Sequence, residues 1–173
     1  KTELRNPHTL IQSTKQWMKS GGVYDSNYGP FFRYRLSDKS RTRAFLILDS
    51  IFKELEKHGY QVVTKHPILN ERSHYGEGEK HHLAHVVHGN VYVTLNIKDR
   101  MHPKPKEIEP VSKASNRRKN EPVLEPKEVF EYSGELTFWI GSAYSRYKTW
   151  NDSKTYKLED KLGEIVISII EAI

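Results

Sequence analysis

The sequence predicts an α+β domain: a mostly antiparallel sheet of about five strands with two to three helices packed on it. Three observations lead there. His88-Gly89-Asn90 lies between two alternating apolar runs, the pattern of a β-hairpin. Apolar residues recur at three- and four-residue spacing from about Arg41 to His58 and again from about Lys157, the pattern of amphipathic helices. The 173 residues suit a single domain with its own core, interrupted by a basic, proline-containing excursion at about 99–128.

The elements follow in order. Asn6 suits an N-cap and Pro7 a first helical position, so a helix is expected from there, with Leu10, Ile11, Trp17 and Met18 as its apolar face. Gly21-Gly22 stops it, and a loop runs to Pro30. Residues 31–36 alternate as a short strand. Ser37 to Ser40 offers capping residues for the helix 41–58, whose stripe is Ala44, Leu48, Ile51, Phe52 and Leu55, with Gly59 as its stop. Residues 60–65 form the next strand. The hairpin strands are 82–87 and 91–98, with Val91, Val93, Leu95 and Ile97 on one face. Five prolines between Met101 and Glu128 make that stretch a loop, with one short helix around 110–119. Residues 134–140 form a strand with Leu136, Phe138 and Ile140 on one side. The last helix carries Leu158, Leu162, Ile165, Val166, Ile169 and Ile173, with Ser153 in its N-cap region.

Composition narrows the function classes. The absence of cysteine excludes disulfides and thiolate metal sites, and fits a cytoplasmic setting. No run approaches the roughly 18 apolar residues of a membrane span, so no membrane partner is expected. Lys1 opens the chain without a signal-peptide pattern, and the sequence reads as a fragment or trimmed domain. The net charge is +6 and the pI about 9.3, which favours polyanionic partners. Most of that charge is local: eight basic residues against three acidic lie between Ile97 and Asn120.

The order of elements and several segments resemble the C-terminal domain of uncharacterised bacterial helix-turn-helix proteins of plasmids and other mobile elements. The matching stretches are Pro7-His8-Thr9-Leu10-Ile11-Gln12-Ser13-Thr14, residues 43–56 with His58-Gly59-Tyr60, and Tyr132-Ser133-Gly134-Glu135-Leu136-Thr137-Phe138. Residues 146–150 with Asp152, followed by Leu158-Glu159-Asp160, match as well. The resemblance implies a DNA-associated setting. It assigns no site residue, because the helix-turn-helix portion itself has no counterpart here.

Four groups of residues bear on chemistry. His74, His81, His82, His85 and His88 include metal-ligand types, and strand alternation puts His81 and His85 on one face. Their spacing leaves a third ligand to come from elsewhere, so a His-rich strand is the simpler reading and no cofactor is expected. Lys98, Arg100, Lys104, Lys106, Arg117, Arg118 and Lys119 suit phosphate contacts, against the alternative of a solvated loop. Arg146 and Trp150 offer a phosphate contact and a stacking platform, against the alternative that Trp150 packs under the last helix and Asp152 caps it. Asp99 and Glu135 are the best acids for a metal-dependent nuclease, but no Glu-x-Lys is expected on a strand after an acid, and there is no phosphate loop. The expected function is a non-catalytic module binding nucleic acid or a partner. The alternatives are a metal-dependent nuclease and a structural domain self-associating through its last helix.

Overall fold

Ser37 sets the register of the longest helix. Its backbone is extended and its Oγ accepts from the Ser40 N–H at 3.3 Å, an N-cap that starts α2 at Asp38 (Asp38–Lys57). The helix therefore begins three residues before the expected Arg41. Its buried face is also wider than the predicted stripe, since Phe45 and Ile47 join Ala44, Leu48, Ile51, Phe52 and Leu55 in the core. At the far end Gly59 takes φ +84°, the Gly59 N–H donates to Glu56 O and the Tyr60 N–H to Leu55 O. This Schellman pair satisfies the last carbonyls and turns the chain into the sheet.

The computed structural model describes residues 4–19, 36–64, 84–104, 107–111, 123–127, 130–141 and 146–173. Helix α1 (Thr9–Lys19) precedes α2, and the strands are β1 (Gln61–Val63), β2 (Ala84–His88), β3 (Val91–Pro103), β4 (Glu107–Val111), β5 (Val123–Lys127), β6 (Phe130–Gly141) and β7 (Arg146–Asn151). A 3-10 turn (Leu158–Lys161) leads into α3 (Leu162–Glu171). Five strands pair antiparallel in the order β1-β2-β3-β6-β7, and β4 and β5 form a separate two-stranded sheet. The protein is an α+β fold. No helix among the described residues is long and apolar enough to cross a membrane.

Four local expectations are corrected. Helix α1 starts at Thr9 because Asn6 takes φ +47° and His8 serves as the cap: its carbonyl accepts from Ile11 and Gln12, and its own N–H is held by Asp49 Oδ1 at 2.6 Å. The excursion is partly β rather than loop and helix: Pro110 and Val111 lie in β4, residues 112–119 lie outside the described residues, and β5 carries Glu125-Pro126-Lys127, a Glu-x-Lys that was not expected on a strand. Residues 146–151, where no regular element was expected, are the edge strand β7. Ser153 does not cap α3; its Oγ accepts the N–H groups of Thr155 and Tyr156 within the connecting turn. The expected strand 31–36 lies outside the described residues except for Leu36, which is buried.

Strand alternation divides the sheet. Ala84 and Val86 on β2, Val93, Leu95 and Ile97 on β3, Leu136, Phe138 and Ile140 on β6 and Trp150 on β7 are buried in one hydrophobic core with α2 and α3. The α3 residues Ile165, Val166 and Ile169 join that core, which leaves Ile167 as the exposed large apolar residue of α3. The last helix, expected as a self-association surface, thus spends part of its apolar surface within the chain, while Leu162, Ile170 and Ile173 are half-buried. The opposite face of β3, β6 and β7 carries the polar and cationic side chains.

Candidate nucleic-acid interface

Backbone pairing places the outer-face residues in rows. Lys98, Thr137 and Asn151 form one row across β3, β6 and β7, and Asn96, Trp139 and Thr149 the next. Thr137 Oγ1 donates to Asn151 Oδ1 at 2.8 Å and ties the first row together. Two irregularities then add cations to this regular lattice.

The first lies at the end of β7. Plain alternation from Trp150 would put Arg146 beside Lys148, on the helix side of the sheet. A one-residue bulge between Ile140 and Gly141 pairs Gly141 with Arg146 instead. The bulge re-aims Arg146 to the outer face, where its guanidinium carbon lies 4.9 Å from the centre of the Trp139 ring. Lys98 Nζ approaches the same ring from β3 at 5.5 Å.

The second irregularity lies between β3 and β6, where Arg100 alone opposes Ser133, Gly134 and Glu135. Gly134 takes φ +81° there, a conformation glycine adopts without a Cβ clash. Asp99 Oδ1 accepts from the Gly134 N–H at 2.8 Å, and Ser133 Oγ donates to the Arg100 carbonyl at 3.0 Å. Arg100 in turn meets Glu135 at 3.0 Å.

Lys98, Asp99, Arg100, Met101, Thr137, Arg146, Thr149 and Asn151 border a cleft of about 370 Å³ on this face. Among the described residues, Lys98 and Arg146 have no carboxylate partner, and Glu135 is taken by Arg100. Three cations against the single buried carboxylate of Asp99 make the cleft net cationic, with hydrogen-bonding side chains on its floor; Trp139 lies next to it, under Lys98 and Arg146.

The expected site residues distribute unevenly over this geometry. Lys98, Arg100 and Arg146 converge on the cleft. Lys104 is exposed just past the end of β3 and pairs with Glu131 at 3.4 Å. Lys106, Arg117, Arg118, Lys119 and His81 lie outside the described residues. The stacking role expected of Trp150 is corrected: it is 5% exposed, its indole N–H donates to Glu164 Oε1 at 3.0 Å, and its ring packs on Phe138. That hydrogen bond and those from Lys161 and Lys148 hold the Glu164 carboxyl below its ordinary range.

The acids expected of a nuclease point apart. Asp99 is buried and accepts from Ser37 Oγ at 2.6 Å and Ser40 Oγ at 2.8 Å through one oxygen, and from Gly134 through the other. It anchors the N-terminus of α2, where a negative charge also suits the helix dipole. Glu135 lies on the opposite face of the sheet, so the two do not form a metal-binding pair. His85 is buried with Nδ1 3.0 Å from Thr94 Oγ1, a cross-strand pair inside the sheet. No group of three or more His, Asp or Glu side chains suited to a metal occurs among the described residues.

Sequence reading passed over Trp139. The signal was present: alternation that sends Leu136, Phe138 and Ile140 inward sends Trp139 outward, and a large aromatic on the solvent side of a strand is a binding-site feature. No protein-family model, curated protein or solved structure matches this chain.

Proposed function

We propose that this domain is a non-catalytic nucleic-acid-binding module, with the outer face of β3, β6 and β7 as its contact surface. One observation supports this above the rest: Lys98 and Arg146, from strands separated by β6, come together over Trp139 with no carboxylate partner among the described residues. A phosphate at either cation gains charge-assisted hydrogen bonds that no carboxylate among the described residues already supplies. Arg100 extends the same cationic surface. The basic residues of the excursion, from Lys104 to Lys119, belong to the chain between β3 and β6 and add to its attraction for a polyanion. The resemblance to a domain that follows helix-turn-helix segments supplies a DNA-associated setting for such a module.

The test is binding of labelled nucleic acid over a range of salt. The double variant Lys98→Glu with Arg146→Glu should weaken binding more than tenfold and flatten the dependence of log affinity on log salt by roughly 1.4–1.8. Unchanged affinity in the double variant would remove this surface from the binding site. The nuclease alternative lacks comparable support, because both oxygens of Asp99 are occupied by structural donors.

A further inference from the structure

We infer that the outer sheet face takes single-stranded nucleic acid, with one base stacked on Trp139 and the adjacent phosphates on Lys98 and Arg146. The inference rests on the nucleic-acid reading above and goes further, to the kind of strand and the role of one residue.

Trp139 sits on β6, with paired strands on both sides: Asn96 faces it from β3 and Thr149 from β7. A ring at that position belongs to the floor of a sheet rather than to a protruding tip. It has no means of wedging between stacked base pairs, so a base has to come to it. Duplex DNA keeps its bases stacked on one another and shows only their edges in the grooves. A single strand can splay a base out onto an aromatic face.

The ring already serves as a platform for cations. Lys98 Nζ lies over it at 5.5 Å and Arg146 at 4.9 Å, and both come from the outer surface of the sheet. These cations cover the indole while no strand is bound. A base stacks on tryptophan more favourably than an exposed cation does, and each displaced cation gains a phosphate in exchange. Thr149 and Asn151 add hydrogen-bonding groups in the neighbouring cleft that Lys98 and Arg146 border. The chemistry is common to DNA and RNA strands, and Trp139 itself does not distinguish a ribose from a deoxyribose.

The experiment compares labelled oligo(dT), oligo(U) and a mixed-sequence duplex of equal length by fluorescence anisotropy, with wild type, Trp139→Ala and Trp139→Phe. Single strands should bind at least tenfold tighter than the duplex. Trp139→Ala should lose about tenfold or more for the single strands and little for the duplex. Trp139→Phe, which keeps an aromatic face and the fold, should fall between them. Intrinsic tryptophan fluorescence of the wild type should be quenched by oligo(dT), and the quench should disappear in Trp139→Phe. The oligo(dT) and oligo(U) arms tell whether DNA or RNA is preferred. A duplex preference, a Trp139→Phe variant that binds single strands like Trp139→Ala, or no quench on binding would overturn the single-strand inference while leaving the nucleic-acid reading standing. Absence of binding to all three probes would overturn both.

Discussion

Arg43 on α2 grips both carboxylate oxygens of Asp152, 109 residues further along the chain, with its Nη2 2.7 Å from Oδ1. The same guanidinium reaches Glu159 at the start of the 3-10 turn. Asp152 also accepts from the N–H groups of Leu136 at 2.8 Å and Leu158 at 3.0 Å. One buried carboxylate thus joins α2, β6 and the approach to α3. Arg43→Ala leaves that charge without its counter-ion while the two backbone donors remain. Destabilisation of about 3 kcal/mol is expected, the lower end for breaking a buried pair, read as a lower midpoint in denaturant unfolding.

The same pair predicts an acid limit to stability. Burial pushes the Asp152 carboxyl up, but the Arg43 hydrogen bonds and the Leu136 and Leu158 N–H groups together bring it below the ordinary carboxylate range. The folded state therefore holds fewer protons than the unfolded state near pH 4, and stability rises with pH there. The contribution is fully present above about pH 5 and is lost as pH falls below about 4 toward the lowered folded value. Thermal melts across this range should show the decline in wild type and a shallower one in Asp152→Asn, which starts less stable at neutral pH. Parallel declines in the two proteins would assign the acid sensitivity elsewhere.

Glu135→Gln separates binding from catalysis. The substitution removes the carboxylate that pairs with Arg100 among the described residues and adds to the cationic surface of the cleft. Nucleic-acid affinity should rise by about two- to fivefold at low salt, in keeping with the modest energy of an exposed pair, and the gain should shrink as salt increases. A metal-dependent nuclease relying on Glu135 would instead show an activity abolished by this change.

Trp150→Phe should have the opposite character to the Trp139 variants. It removes a buried indole and its hydrogen bond to Glu164, at a cost of about 1–3 kcal/mol in stability. Nucleic-acid affinity, measured well below the melting temperature, should stay within about twofold of wild type, because the residue faces the core.

Gly134→Ala tests the bulge that presents Arg100. With φ at +81° a Cβ is strained although no atom lies within 4 Å of it. A loss of about 1–2 kcal/mol is expected, seen as a shifted denaturation midpoint with an unchanged slope. A neutral substitution would show that the backbone relaxes out of this conformation at little cost.

The sequence by itself determined the parts of this protein governed by local periodicity and turn chemistry. The stripe Ala44, Leu48, Ile51, Phe52 and Leu55 marked a helix, Gly59 its stop, and Gly89 a hairpin whose strands pair His88 with Val91. Lys98, Arg100 and Arg146 were identifiable as cations suited to phosphate. That they meet could not be read from spacing, because the meeting depends on which strands become neighbours. β6 lies between β3 and β7, and a one-residue bulge reverses the side to which Arg146 points. Tertiary structure likewise decided that Trp150 packs into the core on Phe138, with its indole N–H bonded to Glu164 of α3, rather than standing on the surface. It also fixed the role of Asp99, whose helix-side position is set by α2 docking its N-cap serine on that carboxylate. Local patterns define elements because neighbouring residues interact whatever the rest of the chain does, whereas a site assembled across three strands exists only once those strands are paired.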